Sequence, residues 1–213
     1  MRPVLMFDYD GVIVDSLDYF LDSFLEACHE HGFHQMDGRE AFLTIFDTNM
    51  YTGMVAAGIP EDQVYPVLIS MGKKLEGRNR NGLFFPLMAD TMNQLAQSCR
   101  VIVITSNLTP IVAESLHVNG VHCAEAVLGS DIEPSKVKKI RSVIGDANES
   151  PCYYIGDTVG DMVEGREGGA KTVAVAWGWH SAERLRTAAP DHMVHSPEEL
   201  AALFRPIAAL PPT

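Results

Sequence analysis

The chain has 213 residues, a formal net charge of −12 and a sequence pI of about 5.0. This acidic balance argues against a nucleic-acid-binding protein and against an anionic membrane surface as a partner, because both kinds of binding need a basic footprint. Hydrophobic residues make up 46% of the chain, which is enough to bury a core. A phosphorylated small molecule is not excluded as a partner, since a few local cations or a metal ion can receive it.

The sequence contains no stretch that predicts membrane insertion or secretion. No apolar run approaches the roughly 20 residues that cross a bilayer, and the strand pattern begins directly after Arg2. The cysteines are scattered, without the spacing of a zinc site. We therefore expect a cytoplasmic protein with reduced, packed thiols. The four cysteines are Cys28, Cys99, Cys123 and Cys152.

Short, β-branched apolar runs predict five strands, and their continuous hydrophobicity is typical of a parallel sheet buried on both faces. In chain order these runs are 3–7, 100–105, 124–129, 151–156 and 171–177. Helical patterns alternate with the apolar runs from residue 86 onward. They lie at 86–98, 109–118, 134–144, 158–168, 181–188 and 196–205. This alternation predicts an α/β fold with a Rossmann-like, doubly wound parallel sheet.

Residues 16–84 interrupt the alternation, because they contain no convincing strand. Gly32 and Gly58 are plausible stops for helices in this segment. We expect an inserted α-helical cap domain at 16–84, with a core domain formed by 1–15 and 85–213. The predicted helices of the insertion are 17–31, 38–46, 48–57 and 60–76.

Polar residues follow several predicted strands, at the sheet edge where open α/β folds bind ligands. Gly11 permits a backbone conformation that a Cβ atom would obstruct. Several carboxylates in one pocket need a cation, and oxygen ligands favour Mg²⁺. Each short motif alone is weak, since Asp-x-Asp-Gly also occurs in ordinary turns, but four motifs in order are much stronger. The residues concerned are Asp8, Asp10, Gly11, Thr105, Ser106, Asn107, Ser135, Lys136, Asp157 and Asp161.

The same segments carry a family resemblance. They read "FDYDGVIVDS", "VIVITSN", "SKVKKI" and "YYIGDTVGDM". In this order they resemble the four motifs of the haloacid dehalogenase superfamily of phosphohydrolases. The closing segments "VAVAWGWHSAERL" and "APDHMVHSPEEL" are similar to those of its phosphoglycolate-phosphatase-like branch, whose members carry a helical C1-type cap.

This resemblance implies a Mg²⁺-dependent phosphatase that hydrolyses a small-molecule phosphate ester through an aspartyl-phosphate. It implies that Asp8 is the nucleophile, that Asp10 is the general acid and base, and that Lys136 neutralises the growing charge. The metal ligands implied are Asp8, the backbone carbonyl of Asp10, Asp157 and Asp161. The substrate-binding positions implied are Gly11, Thr105, Ser106 and Asn107.

Several alternatives remain open at this point. Val137 stands where the family commonly has proline, so Lys139 competes with Lys136 as the working lysine; we prefer Lys136, which follows Ser135 at the helix start. A sugar-phosphate mutase, similar to β-phosphoglucomutase, would use the same nucleophile. A non-catalytic binding protein would keep only the fold.

Other residues carry further hypotheses. A phosphonate hydrolase would need a Schiff-base lysine in the cap, for which Lys73 and Lys74 are the candidates. Arg78 and Arg80 carry a second hypothesis, a contact with the non-reacting end of the substrate. Trp177 and Trp179 could form a wall of the pocket or pack in the interior, and we favour packing. The sequence fixes neither the substrate nor the oligomeric state.

Overall fold

The structure, a computed structural model, describes residues 1–76, 83–147 and 149–205. Within these residues, six parallel strands form one sheet in the order β3-β2-β1-β4-β5-β6. Since β2 and β4 flank β1 on opposite sides, the strand order reverses at β1, which is where such sheets bind ligands. The strands are β1 (Val4–Phe7), β2 (Arg100–Ile104), β3 (Ala124–Leu128), β4 (Cys152–Gly156), β5 (Lys171–Val175) and β6 (His192–Val194).

Helices accompany the sheet and also form the insertion between β1 and β2, which confirms the predicted fold class. The insertion contains α1 (Leu17–Glu30), α2 (Arg39–Ile45), α3 (Met50–Ala56) and α4 (Glu61–Glu76). The remaining helices are α5 (Met88–Leu95), α6 (Thr109–Val118), α7 (Lys136–Gly145), α8 (Val159–Gly168), α9 (Ala182–Thr187) and α10 (Pro197–Leu203).

The two edge strands correct the sequence-based expectation. All four residues of β1 are buried, as expected for a central strand, but β3 is only partly buried. The expectation that β3 is covered on both faces was wrong because β3 lies at the edge of the sheet. At the other edge, β6 was not predicted at all, since its three residues are too few to show a strand pattern.

The inserted helices pack around a hydrophobic cluster of their own, which includes Phe24, Phe42 and Met54. Gly32 and Gly58 follow α1 and α3 with φ angles of 83° and 97°, a conformation that suits glycine at a helix end. The helical insertion is therefore confirmed. Its division from the core as a separate domain stays a prediction, and the second predicted hinge, 82–86, begins outside the described residues.

The C-terminal end of α2 is bonded to the core of the protein. The backbone N–H of Gly160, in α8, donates to the Phe46 carbonyl at 2.8 Å. The His180 ring accepts from the Val159 N–H at Nδ1 (3.1 Å), so its Nε2 carries the hydrogen that it donates to the Leu43 carbonyl (3.0 Å). These bonds fix one end of the insertion beside the carboxyl edge of the sheet.

Two further expectations concern the whole chain. All four cysteines are free and three of them are buried, which confirms the packed thiols. In the part of the chain that the structure describes, no helix combines the length and the apolar character that a membrane crossing requires. Trp177 donates from Nε1 to the Val12 carbonyl at 3.1 Å, in keeping with the packing role assigned to it.

Candidate active site

Three buried carboxylates meet at the carboxyl ends of β1 and β4. Asp8 directly follows β1, Asp157 directly follows β4, and Asp161 lies in the first turn of α8. Their side-chain oxygens come within 4.8 Å of one another. β1 and β4 are hydrogen-bonded neighbours, so Asp8 and Asp157 are brought together by the sheet itself.

Local hydrogen bonds fix Asp161 in this group. Thr158 is the N-cap of α8, and its Oγ1 accepts from the Asp161 N–H at 3.1 Å. In return, the Asp161 carboxylate accepts from the Thr158 hydroxyl at 2.7 Å and from the Thr158 N–H at 3.2 Å. This reciprocal capping box holds the side chain rigid at the helix start.

Lys136 lies between two of the carboxylates. Its Nζ donates to Asp8 Oδ2 and to Asp161 Oδ1, both at 2.8 Å. Lys139, the competing lysine, donates instead to the Thr105 carbonyl at 2.7 Å. The geometry therefore places Lys136, and not Lys139, on the carboxylate group.

Burial and charge oppose each other in this group. Burial raises the pKa of Asp8 to about 7, even though Lys136 acts in the opposite direction. Burial, together with the neighbouring Asp161 and Asp8, also raises the pKa of Asp157 well above its usual value. For Asp161, burial acts to raise the pKa, but the ion pair with Lys136 and the hydrogen bonds from Thr158 together lower it. Three carboxylates thus face one ammonium group.

The donor set fits a metal ion. Asp157 Oδ2 accepts from the Trp179 N–H at 2.7 Å, whereas its buried Oδ1 has no hydrogen-bond partner within the described residues. A buried, unpaired carboxylate oxygen is costly unless a cation compensates it. Oxygen ligands of this kind suit a hard divalent cation. Asp8, Asp157 and Asp161 could therefore hold one; its identity stays a prediction.

Asp10 lies beside this group and is bonded differently. Its Oδ2 accepts from the Asn107 side-chain amide at 2.8 Å. Asp10, Ser106 and Asn107 all line the adjoining cavity. Asp10 and Asp8 therefore line the same cavity; the predicted metal contact of Asp10, through its backbone carbonyl, stays a prediction.

Two of the predicted substrate-binding residues lie behind the cavity wall. Thr105 is fully buried, and its Oγ1 accepts from the Asn107 N–H at 3.0 Å. Gly11 has a φ of 75°, and a Cβ atom there would collide with the Asp157 carboxylate and lie 2.8 Å from the Trp179 ring. The structure gives both residues supporting positions, and their predicted contacts with substrate stay predictions.

The cavity in front of the carboxylates has a volume of about 880 Å³ and extends beneath α3 and α4. Its wall includes Glu164 and Ser135, for which the sequence analysis gave no substrate role. Glu164 follows Asp161 by three residues, so its place on the same face of α8 was open to prediction. Trp179 also lines the cavity, while its ring packs 4.8 Å from that of Phe46.

The basic residues proposed for the cap do not reach this cavity where the structure describes them. Lys74 donates to Glu30 at 2.6 Å, and neither Lys73 nor Lys74 lines the cavity. Arg78 and Arg80 lie outside the described residues. The hypothesis of a cap arginine that contacts substrate therefore stays untested.

The chain is similar to known hydrolases over most of its length. A family model for haloacid dehalogenase-like hydrolases matches residues 5–175. A phosphoglycolate phosphatase from Synechococcus elongatus is 25% identical over 201 residues, covering 92% of this chain and 94% of that protein. The pyrophosphatase PpaX of Bacillus velezensis is 23% identical over 206 residues, which cover 92% of this chain and 93% of that protein. The solved structure of a haloacid dehalogenase-like hydrolase from Streptococcus pneumoniae has a similar fold, with a TM-score of 0.78 and 24% identity. The match covers 96% of this chain and 99% of that chain.

Proposed function

Because the chain belongs to the haloacid dehalogenase-like hydrolase family, we propose that it is a Mg²⁺-dependent phosphatase of a small phosphorylated metabolite. The observation that carries this proposal is the buried group of Asp8, Asp157 and Asp161 around Lys136, on the wall of a substrate-sized cavity. The names of similar proteins, a phosphoglycolate phosphatase and a pyrophosphatase, support the same class of reaction.

Asp8 is the nucleophile of the proposed reaction. Its carboxylate attacks phosphorus, the bond from phosphorus to the leaving oxygen breaks, and the phosphoryl group is attached to Asp8. The Tyr9 N–H holds Asp8 Oδ1 at 2.8 Å, and Lys136 holds Oδ2. Lys136 also lies where it can stabilise the negative charge of the phosphoryl oxygens.

Asp10 moves the proton in both half-reactions. It first donates a proton to the leaving oxygen, which departs as an alcohol. It then accepts a proton from the water that attacks the aspartyl-phosphate, which releases inorganic phosphate and restores Asp8. The hydrogen bond from Asn107 orients the Asp10 carboxyl group for this role.

Asp8, Asp157 and Asp161 would hold Mg²⁺, with the backbone carbonyl of Asp10 as a further proposed ligand. When bound, Mg²⁺ would reduce the repulsion between an anionic nucleophile and an anionic phosphate. A cation beside Asp8 would also lower the pKa of this residue, which burial raises, and so favour the ionised form that attacks. The ion pair between Lys136 and Asp8 also acts to lower the pKa of Asp8.

Phosphate release from a panel of phosphate esters, with Mg²⁺ or with EDTA, tests the proposal. We expect release that requires Mg²⁺ and falls by at least about 10³-fold in Asp8→Asn, which removes the nucleophile. Asp146→Asn, the same substitution at an exposed site after α7, is the matched control and retains activity. Release that persists at the same rate in Asp8→Asn, or in EDTA, would contradict the proposal.

A further inference from the structure

Apolar and aromatic side chains form a large part of the wall of the cavity that contains the carboxylates. Helix α4 contributes Tyr65, Leu68 and Ile69, which share one face at helical spacing. Tyr51 of α3 and Leu108, before α6, complete this region, which we call the apolar mouth. The apolar mouth and the Asp8 carboxylate belong to the same cavity, so one substrate can occupy both.

Much of the apolar mouth is exposed to solvent. Tyr65 is 68% exposed, Ile69 is 52% exposed and Leu108 is 44% exposed. Such exposed apolar side chains concentrated at one cavity are a signature of a binding surface. A ligand group that covers them removes apolar area from water, which favours binding.

The charges on the cavity wall disfavour an anionic group in the same place. Among the lining residues that the structure describes, Lys136 is the one basic side chain, and Asp8 and Asp161 already engage it. Glu164 adds a further acid to the wall. A carboxylate or second phosphate on the substrate would therefore lose water without gaining a cation from these residues.

A neighbouring groove of about 480 Å³ does contain basic side chains, Lys138 and Arg141. Both are exposed and face glutamates, with Lys138 3.7 Å from Glu133 and Arg141 3.6 Å from Glu167. None of the residues that define the apolar mouth lines this groove. The geometry of the larger cavity therefore favours an uncharged group.

On the basis of the proposed phosphatase function, the geometry points to a phosphate monoester whose leaving alcohol carries a bulky, uncharged, aromatic or aliphatic group that binds in the apolar mouth. This substrate class differs from phosphoglycolate and pyrophosphate, which carry a second anionic group. The chemical steps are those already described, in which the phosphoryl group transfers to Asp8 and the alcohol leaves with a proton from Asp10. The apolar mouth binds only the part of the substrate that does not react.

Gly72 provides a direct way to test the apolar mouth. It lies in α4, one turn after Leu68 and on the cavity wall, and a Cβ atom added there meets no atom within 4 Å. A phenylalanine at this position would occupy cavity space without a clash at Cβ. Glycine is also a poor helix former, so the substitution favours the helix.

The experiment measures kcat/KM for naphthylmethyl phosphate, methyl phosphate, phosphoglycolate and pyrophosphate. Naphthylmethyl phosphate and methyl phosphate release alcohols of similar basicity, so the ratio of their kcat/KM values reports the effect of the size and polarity of the leaving group. We expect the wild type to prefer naphthylmethyl phosphate to each of the other three by at least about tenfold, and Gly72→Phe to lower the ratio to methyl phosphate by at least about tenfold. Gly145→Phe, at an exposed helix position that also meets no atom within 4 Å, leaves the ratio unchanged.

Binding of naphthalenemethanol, measured by calorimetry, separates this inference from the proposed function. We expect the wild type and Gly145→Phe to bind it and Gly72→Phe to lose binding. If naphthalenemethanol binds but none of the phosphate compounds is hydrolysed, the proposed function would be contradicted and the inference about the apolar mouth would not. Faster hydrolysis of phosphoglycolate or pyrophosphate than of naphthylmethyl phosphate, or equal binding by Gly72→Phe, would overturn the apolar mouth as the site of the leaving group.

Discussion

At the scale of single residues, the carboxylates Asp8, Asp157 and Asp161 repel one another in a buried site, and Lys136 compensates only part of that repulsion. The Trp179 N–H donates to Asp157 Oδ2, while the buried Asp157 Oδ1 has no hydrogen-bond partner within the described residues. In the absence of a cation, the folded state must carry this electrostatic cost. Metal binding and stability are therefore coupled at this site.

The first prediction uses this coupling. Asp157→Asn keeps an oxygen to accept from Trp179 but removes one negative charge. We expect Mg²⁺ binding, measured by calorimetry, to weaken by at least about tenfold. In EDTA we expect the variant to be more stable than the wild type by about 1 kcal/mol in urea unfolding, because a buried repulsion is relieved. Unchanged Mg²⁺ affinity would show that Asp157 is not a ligand.

A second prediction separates the two lysines. Lys136→Met removes the ammonium group that contacts Asp8 and Asp161, so we expect kcat/KM to fall by at least about 100-fold. Lys139→Met removes a bond to the Thr105 carbonyl, and burial already lowers the pKa of Lys139 to about 8. We expect its kcat/KM to fall by less than about tenfold. The opposite order in steady-state kinetics would make Lys139 the working lysine.

The positions of individual residues were predictable to different degrees. The strand-end position of Asp8 and Asp157 was predictable, because parallel strands present their carboxyl ends at one edge. The buried position of Thr105 was not predictable from the sequence, because it depends on how the loop after β2 turns the Thr105 hydroxyl toward the Asn107 backbone. The hydrogen bond from the Trp179 backbone N–H to Asp157 was also not predictable, because the approach of a backbone N–H depends on tertiary structure.

At the scale of elements, α9 and the end of α2 are joined by a bidentate ion pair. Arg184 Nε and Nη2 donate to the two carboxylate oxygens of Asp47, both at 2.8 Å. Arg184 Nη1 also donates to Glu40 at 2.8 Å. Paired, parallel bonds of this kind are stronger than a single contact. With the His180 bond to Leu43, they connect the inserted helices to the core on one side of the cavity.

The third prediction concerns this ion pair. The Arg184 hydrogen bonds lower the pKa of Asp47, so the folded state favours its ionised form. The stabilisation is fully present above the ordinary carboxyl pKa and is lost as the pH falls through the lower, folded-state pKa. Because Asp47 is 42% exposed, solvent screening limits the effect to about 1 kcal/mol. We expect Arg184→Met to lose this amount at neutral pH and progressively less below about pH 4.

Urea unfolding of the wild type and Arg184→Met across this pH range measures the effect. Arg39→Met serves as the matched control, because Arg39 and Asp18 form a far more exposed pair, 58% and 88% exposed, within the insertion. We expect almost no loss of stability in the control. A loss in Arg184→Met that is independent of pH would assign the effect to packing and not to Asp47.

The helices and central strands were the most predictable elements. Their boundaries agree closely with the sequence patterns, and α6 begins and ends as predicted at Thr109–Val118. Edge strands were less predictable, because burial on one side depends on neighbours that the local pattern does not reveal. This explains both the overestimated burial of β3 and the absence of β6 from the prediction.

At the scale of the whole molecule, Trp179 links the chain that follows β5 to the hydrophobic cluster of the insertion. It lies in the chain after β5, yet its ring is buried in the cluster of the insertion, 5.4 Å from Phe20 and 5.6 Å from Phe42. An aromatic side chain of this size buries a large apolar area. The insertion and the core are therefore expected to depend on each other for stability.

The fourth prediction follows from this dependence. We expect urea unfolding to occur in a single transition, with tryptophan fluorescence and far-ultraviolet circular dichroism changing together. In Trp179→Leu, which removes the aromatic contacts with Phe20 and Phe42, we expect the midpoint of the dichroism transition to fall. Two separate transitions in the wild type would instead indicate that the predicted cap and core domains unfold independently.

The family assignment was within reach of the sequence, whereas the character of the cavity was not. The four motifs predicted a haloacid dehalogenase-like protein, and the family match confirms it. The apolar mouth depends on how α3 and α4 pack relative to the loop after β2. No sequence pattern distinguished the cavity-facing Tyr65 and Ile69 from ordinary residues of an amphipathic helix.

The central claim is that Asp8 attacks phosphorus, and trapping the aspartyl-phosphate tests it most directly. The enzyme is quenched in acid during turnover with Mg²⁺ and a hydrolysed ester, and is then reduced with borohydride, which converts an acyl-phosphate to an alcohol. Peptide mass spectrometry locates the reduced residue. We predict conversion of Asp8 alone, and none in Asp8→Asn. Conversion at another carboxylate, or rapid turnover with no reducible acyl-phosphate, would contradict the account.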